Sequence, residues 1–339
     1  MKKWQKRSGY ALSALVLVVA GVMVVMSYNQ AQAFVQPMRS SGALPSDYGL
    51  EVESVALTTS DGLKLAAWYI PSRNRAAVIL QHGYGGNRSD VIDAAKWLAT
   101  RGYGVVMVDL RASGMSEGDR FSFGKNEVRD IEAAYQYVVG RPDVDAQRVG
   151  AWGGSMGGVL VLLHAAQNPE IRAVVADCPF ASLQDELETG VKKFTGLPPF
   201  PFASLIQFFL ERELGFPLSE IAPIEHIRSI SPRPVFLLSA GKDTVVPPDS
   251  GQRLYDAAGE PRQLWFDPDL EHCEFWNSRR DEFEKRLAAF FGQYLLGKSV
   301  EGHQARSWQA SAIALALTPP ICRGRRAPRG AVAARHLLR

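Results

Sequence analysis

Ser155 stands in the stretch GAWGGSMGG with Gly150, Gly153, Gly154, Gly157 and Gly158 around it. An apolar, strand-like run precedes it and a helix-like run follows. In that setting Gly153-x-Ser155-x-Gly157 reads as a sharp strand–turn–helix, with small residues two before and two after the serine to relieve crowding. Such a turn lifts the serine oxygen to the top of a sheet. It also aims the Met156 N–H, at the start of the helix, at the same spot, where it can stabilise an oxyanion. A glycine-rich turn of this kind is common in isolation; the strand before it and the helix after it make it a candidate nucleophile.

A serine hydroxyl needs a base to take its proton, which requires a histidine. Six are available. His303 and His336 lie near the C-terminus. His164 falls on the helix after Ser155 and reads as a packing residue, and His226 lies where a long insertion ends. His82 sits in QHGYGGN and reads as structural. His272, in DLEHCEF, follows the last predicted strand and precedes the last helix, which places it on a loop at the same sheet edge as Ser155. It is the candidate base.

The histidine in turn needs an acid to hold its tautomer and stabilise its charged form. Asp243, in SAGKDTVVPP, ends one strand, and Asp177, in ADCPF, ends the strand before it. Both lie at the correct edge. Asp243 is favoured because the loop after it, with Val246 and Pro247, can present a side chain rigidly; Asp177 stays as the alternative. A second oxyanion donor is expected from the Tyr84 N–H, since HGYGGN follows a strand and its glycines permit close approach. A plain strand–helix turn is the other reading of that stretch.

These groups must be positioned by a sheet. VESVALTT and LKLAAWYI, separated by SDG, suggest a hairpin. Six further apolar runs follow, at 76–82, 104–110, 148–154, 173–178, 234–240 and 263–267, alternating with stretches of helical length such as 89–101, 125–140 and 156–167. Runs apolar on both faces suit a sheet covered by helices on both sides, and the alternation implies mostly parallel strands with right-handed crossovers. The interval between the runs at 173–178 and 234–240 is too long for a crossover. It is rich in phenylalanine and proline and reads as an inserted helical cap, about 181–230. Within it SLIQFFLERELG reads as a helix whose Phe208 and Phe209 are candidates to line an acyl pocket, with core packing of the cap as their other reading.

At the N-terminus, MKKWQKR precedes 19 uncharged, mostly apolar residues. As a helix these reach about 28 Å, close to a bilayer core. Residues 1–28 are therefore read as a membrane anchor, with the basic side cytoplasmic and the main domain outside. A cleavable signal peptide is the alternative, since AQA at 31–33 is a small-x-small site; the product would be secreted or periplasmic. Residues 29–49 read as a polar linker and 50–297 as the main domain. Residues 298–339, rich in Ala and Arg, read as a basic, disordered tail.

The net charge of +3 hides this layout. Residues 1–9 carry +4 and residues 302–339 carry +7, leaving 10–301 at −8. The basic balance belongs to the ends and does not suggest nucleic-acid binding. Three cysteines, Cys178, Cys273 and Cys322, show neither metal-site nor disulfide-framework spacing.

From about 50 to 297 the chain resembles the α/β-hydrolase superfamily. The carriers are QHGYGGN, DLRASGMSEG, GGSMGG, GKDTVVP and EHCEF, and they are most similar to membrane-anchored Bem46-like serine hydrolases, near the serine aminopeptidase-type lipases. The order Ser155, Asp243, His272 is the order that superfamily uses. The resemblance implies an eight-stranded, mostly parallel sheet with helices on both faces, and a supporting role for Asp109 and Arg111. Relatives often read D-x-R-G-x-G-x-S after the strand; Ala112 departs from that. The motifs are specific for fold and triad but not for substrate. The implied function is hydrolysis of carboxylic esters or thioesters, small or lipid, through an acyl-enzyme on Ser155, with no metal or organic cofactor. A peptidase or amidase on the same residues, and a non-catalytic membrane-tethered protein with a relic fold, are the alternatives.

Overall fold

The computed structural model describes residues 3–299; the basic tail expected at 298–339 lies outside the described residues beyond Lys298 and Ser299. The hairpin β1 (Glu53–Thr58) and β2 (Lys64–Ile70) leads into β3 (Ala77–Gln81), α2 (Ile92–Thr100), β4 (Gly104–Val108), α3 (Val128–Val139), β5 (Val149–Gly154), α4 (Met156–Gln167) and β6 (Ala173–Asp177). Before them all comes one long helix, α1 (Lys3–Val35). After β6 come α5 (Leu183–Thr195), α6 (Pro199–Leu214), α7 (Pro223–His226), β7 (Val235–Ala240), α8 (Ser250–Ala257), β8 (Arg262–Asp267), α9 (Phe275–Ser278) and α10 (Arg280–Leu296).

The eight strands form one sheet in the order β1-β2-β4-β3-β5-β6-β7-β8. Only β2 runs against its neighbours, pairing antiparallel with both β1 and β4. From β4 to β8 every pairing is parallel. The runs AVILQ and GVVMV are buried at every position, as strands covered on both faces must be. One face packs against α2 and α10, through Trp97, Leu98, Phe283, Leu287 and Phe290. The other packs against α3 and α4, through Ile131, Val138, Leu160 and Val161, and continues into α5 and α6. The architecture is the α/β-hydrolase sheet, and the topology carries the ends of β3, β5, β7 and β8 to one edge.

The loop after β4 is braced by charge. Arg111 forks onto Asp130 Oδ1, at 2.9 Å from Nε and 2.7 Å from a terminal nitrogen, and onto both oxygens of Asp61 at 2.8 and 3.1 Å. Asp109 accepts the Arg88 and Met115 N–H groups at 2.6 and 2.8 Å. Ala112 takes φ +57°, a conformation that glycine adopts without strain, and so keeps the backbone path despite its side chain.

Two segments differ from the sequence expectation. Residues 29–35, expected in a polar linker, continue α1 without a break. Met23, Ser27, Ala31 and Val35 recur every fourth residue and lie on the face that packs on the domain, with Ser27, Ala31 and Val35 buried. The reason is that Gln30 and Gln32 interrupt hydropathy but not helicity, and Gln32 donates to Glu213 of α6 at 2.7 Å. Phe208 and Phe209 form the second difference. The buried face of α6 is Phe202, Ala203, Ile206 and Leu210, which leaves Phe208 52% exposed and sets Phe209 edge-on to Tyr28 of α1 at 5.5 Å. Neither lines the cleft above Ser155. The helical period shows that the two rings are neighbours, but α1, packed alongside, decides which side of α6 faces the core.

Candidate active site

Ser155 occupies the junction of β5 and α4 with φ +54° and ψ −123°. A non-glycine residue holds this backbone only where the surroundings enforce it. Here a Cβ at Gly153 would come within 2.3 Å of the Gly157 backbone, and one at Gly157 within 2.4 Å of the Gln81 carbonyl. The two glycines therefore let β5, α4 and the end of β3 close on one another. The Ser155 N–H donates to the Asp177 carbonyl at 2.8 Å, which fixes the turn from its far side.

His272, on the loop between β8 and α9, donates from Nδ1 to Asp243 Oδ2 at 2.6 Å. Asp243 is itself held by the Val245 and Val246 N–H groups, 2.8 and 2.9 Å from Oδ1. With Nδ1 occupied, the remaining ring nitrogen, Nε2, is buried without a partner. Burial opposes charge on this ring, while Cys273 and Asp243 favour it, and the balance lies above the usual imidazole value. Asp177 does not join the pair. Its carboxyl borders a separate pocket with Trp152 and Trp276, burial pushes it well above the ordinary carboxylate range, and its Oδ1 has no partner.

The Tyr84 loop closes against the serine. The Gly86 N–H donates to the Gly83 carbonyl at 3.2 Å, leaving the Tyr84 N–H outside the turn's hydrogen bond. Gly83 passes close enough that a Cβ there would sit 3.4 Å from that of Ser155. His82 anchors the same loop. The Leu110 N–H donates to its Nε2 at 3.1 Å, so the proton is on Nδ1, which donates to the Gly83 carbonyl at 2.7 Å. Burial keeps this ring neutral. The Tyr84 hydroxyl reaches away, to the Phe34 carbonyl at 2.7 Å. Met156 begins α4, and its N–H belongs to the first turn, which has no intrahelical acceptor. His164 bonds Glu132 at 2.7 Å on the far side of α4, and His226 is exposed on α7.

Above Ser155 lies a narrow apolar cleft of about 70 Å³, walled by Phe34, Phe123, Phe180, Leu187, Val191 and Phe194. Two features were not read from the sequence. Glu186 on α5 lines this apolar cleft, and its Oε2 is buried without a partner. The signal was present: Leu183, Leu187, Gly190, Val191 and Phe194 repeat at helical spacing with Glu186 inside the stripe. Burial raises its carboxyl to about 9, so it is neutral at pH 7. Between about 4.5 and 9 the folded protein then holds a proton that the unfolded chain has released, so this group lowers stability as pH rises through that window. Glu186→Gln is expected to flatten that decline, with the gain in melting temperature over wild type growing from pH 5 to pH 9. Parallel melting curves would show instead that the carboxyl is not held neutral.

The second feature is a pair of thiols beside the histidine. The Cys273 N–H donates to Cys178 Sγ at 3.4 Å, and the Cys273 thiol faces the Asp177 carbonyl at 3.6 Å. Contact with Cys178 and then with His272 holds the Cys273 thiol below its ordinary range, although burial opposes this. One group of metal-type ligands comes together among the described residues, Cys178, His272 and Cys273, whose ligand atoms lie within 4.8 Å of one another. Because Nδ1 is taken by Asp243, a metal there would use Nε2.

Residues 90–298 match the prolyl oligopeptidase family. The uncharacterized protein YfhR of Escherichia coli K12 is 31% identical over 248 residues, spanning 70% of this chain and 80% of that protein. The α/β hydrolase domain-containing protein WAV2 of Arabidopsis thaliana is 26% identical over 300 residues, 84% of this chain and 94% of that one. Among solved structures, Pyrococcus furiosus esterase Pf2001 superposes with a TM-score of 0.66 at 27% identity, covering 77% of this chain and 98% of its own. With an eight-stranded sheet of the same class beneath these matches, the chain belongs to the prolyl oligopeptidase family of α/β-hydrolases.

Proposed function

We propose that this hydrolase cleaves carboxylic esters or thioesters through an acyl-enzyme on Ser155. The observation that carries the reading is the His272–Asp243 pair, whose free Nε2 is buried at the sheet edge where the strained Ser155 turn meets an apolar cleft. Ser155 Oγ attacks the acyl carbon while Nε2 takes the hydroxyl proton. The Tyr84 and Met156 N–H groups hold the oxyanion. The tetrahedral species collapses, the alcohol or thiol leaves with the proton from Nε2, and the acyl group stays on Ser155. Water then attacks, giving its proton to Nε2, and the carboxylic acid departs as Ser155 regains its hydrogen. The apolar wall of the cleft suits a hydrocarbon acyl chain, and the esterase among the structural relatives supports the same bond type. A peptidase on these residues is favoured by the family's peptidase members. Labelling with a fluorophosphonate tests the reading: one adduct on Ser155, absent in Ser155→Ala, is expected. An unlabelled wild-type protein would leave only the relic fold.

Cys273 gives this reading a pH signature. A thiolate beside His272 favours the imidazolium, which cannot accept the serine proton. Cys273→Ala is expected to lower the His272 pKa, moving the acid limb of the kcat/KM profile to lower pH and raising activity at pH 7. An unmoved limb would mean that Cys273 remains a thiol.

The same proposal places α1 as an uncleaved, single-pass anchor with the catalytic domain outside the cytoplasm. Arg7–Val35 is long and apolar enough to span a bilayer, and the lysines and arginine before it favour a cytoplasmic N-terminus. Cleavage after Ala33 would remove the helix that supplies Ala31 to the core.

A further inference from the structure

Two contacts set the register of α1 on α6. Tyr28 meets Phe209 edge-on, and Gln32 donates to Glu213. The second pair lies four residues further along both helices, so the two run parallel with one offset. Carried back at 1.5 Å per residue, that register sets Phe202 level with Gly21 of α1, with the backbone turning extended at Phe200. Counting the 19 apolar residues 10–28 as the span, Gly21 lies roughly 10 Å inside its outer boundary.

The segment that reaches that level is FTGLPPFPF, residues 194–202, which joins α5 to α6: it starts outside the span, where Phe194 lies edge-on to Phe34 of α1 at 6.4 Å, and ends at Phe200 and Phe202 at the start of α6. It contains no charge. Phe200 at its tip is 85% exposed and Phe194 54%. Exposed aromatic rings on a charge-free tip are costly in water and suited to the boundary between headgroups and acyl chains. A flexible tether would leave the height of this tip undetermined. α1 is continuous, however, and docked through Met23, Ala31 and Val35, so it sets that height. Lys192 and Lys193 come immediately before the tip, where cations meet headgroup phosphates. Phe194 belongs both to the tip and to the cleft wall, which continues through Val191 and Leu187 towards Ser155.

We propose that the Phe200 end of the 194–202 tip is immersed in the lipid bilayer beside α1, and that the ester substrate is a membrane lipid whose acyl chain passes from Phe200 up along Phe194 into the cleft. This rests on the reading of α1 as an anchor and of Ser155 as the nucleophile. The tip and the span would form one hydrophobic surface, with the headgroup-side ester bond drawn up towards the serine.

The test uses the full chain in phosphatidylcholine liposomes, with photoreactive benzoylphenylalanine placed singly at Phe200, at Leu15 and at Glu170. Leu15 is exposed in the span, and Glu170 is exposed at the opposite sheet edge. Lipid adducts at 200 and 15, with none at 170, are expected. An adduct at 15 alone overturns the immersion of the tip. None at 15 removes the anchor, and the proposal falls with it. For the route, Phe200→Asp should leave hydrolysis of soluble p-nitrophenyl butyrate unchanged and lower that of a long-chain ester embedded in the vesicles by roughly tenfold or more. An equal effect on both substrates, or none on either, overturns the route. The wild-type rate on the soluble ester reports separately on the reaction itself.

Discussion

Ser155→Ala and His272→Ala are each expected to lower kcat for p-nitrophenyl ester hydrolysis by roughly 10⁴- to 10⁶-fold, and the double variant by little more, because the two groups act as one unit. In the proposed reaction Ser155, at the turn between β5 and α4, supplies the bond to the acyl carbon. His272 Nε2 is the nitrogen left free by the 2.6 Å bond from Nδ1 to Asp243. Asp243→Asn should cost roughly 10²- to 10⁴-fold, since an amide can donate to Nδ1 and favour the wrong tautomer. Asp177→Asn should leave kcat close to wild type, because the bond to His272 Nδ1 is made by Asp243 and Asp177 borders the pocket of Trp152 and Trp276. Steady-state kinetics on purified variants, with circular dichroism as a check of folding, decides the matter. If Asp177→Asn were the more damaging of the two, the acid would be misassigned.

Arg111→Met is expected to be the most destabilising single change outside the site, at about 3–5 kcal/mol. The guanidinium lies between Asp130, which is fully buried, and Asp61, with side-chain exposure of 5% for the arginine itself. Burial already raises the Asp130 carboxyl to about 7 even with Arg111 against it. Without the guanidinium, Asp130 loses both bonds to its Oδ1 and keeps the backbone N–H of residue 111, at 2.8 Å from Oδ2. For a domain of this size the loss corresponds to roughly 10 °C in melting temperature. Arg111→Lys should recover little, since an ammonium cannot fork onto two carboxylates. Replacing Asp61 and Asp130 by Asn in the methionine background should restore part of the stability, because no unpaired carboxylate then remains. Urea unfolding measures both effects. A loss under about 1 kcal/mol would show that the ion cluster is replaceable by packing.

The sequence by itself determined the parts of this protein that are local. Eight strands, the Gly153-x-Ser155-x-Gly157 turn, and a span-length apolar helix all follow from neighbours a few residues apart, through the two backbone periods and the steric demands of a tight turn. The chain order of Ser155, Asp243 and His272 follows from strands and loops of one parallel sheet, which brings their ends to a common edge.

Only the tertiary structure decided what depends on how distant segments pack. Asp177 and Asp243 end adjacent strands and look alike in sequence; the path of the 241–246 loop brings one carboxylate to His272, and the other faces away. Phe208 and Phe209 are adjacent phenylalanines in one apolar run, yet Phe208 is exposed while Phe209 packs edge-on against Tyr28, because α1 docks on that side of α6. Glu186 reads as one more solvated acid of an amphipathic helix until α5 is laid over Ser155, where it lines a mostly apolar cleft and its Oε2 is buried without a partner. The glutamines at 30 and 32 end the hydropathy signal of α1 but not the helix, because hydropathy reports a preference for lipid whereas helicity continues wherever the backbone bonds and a partner surface support it.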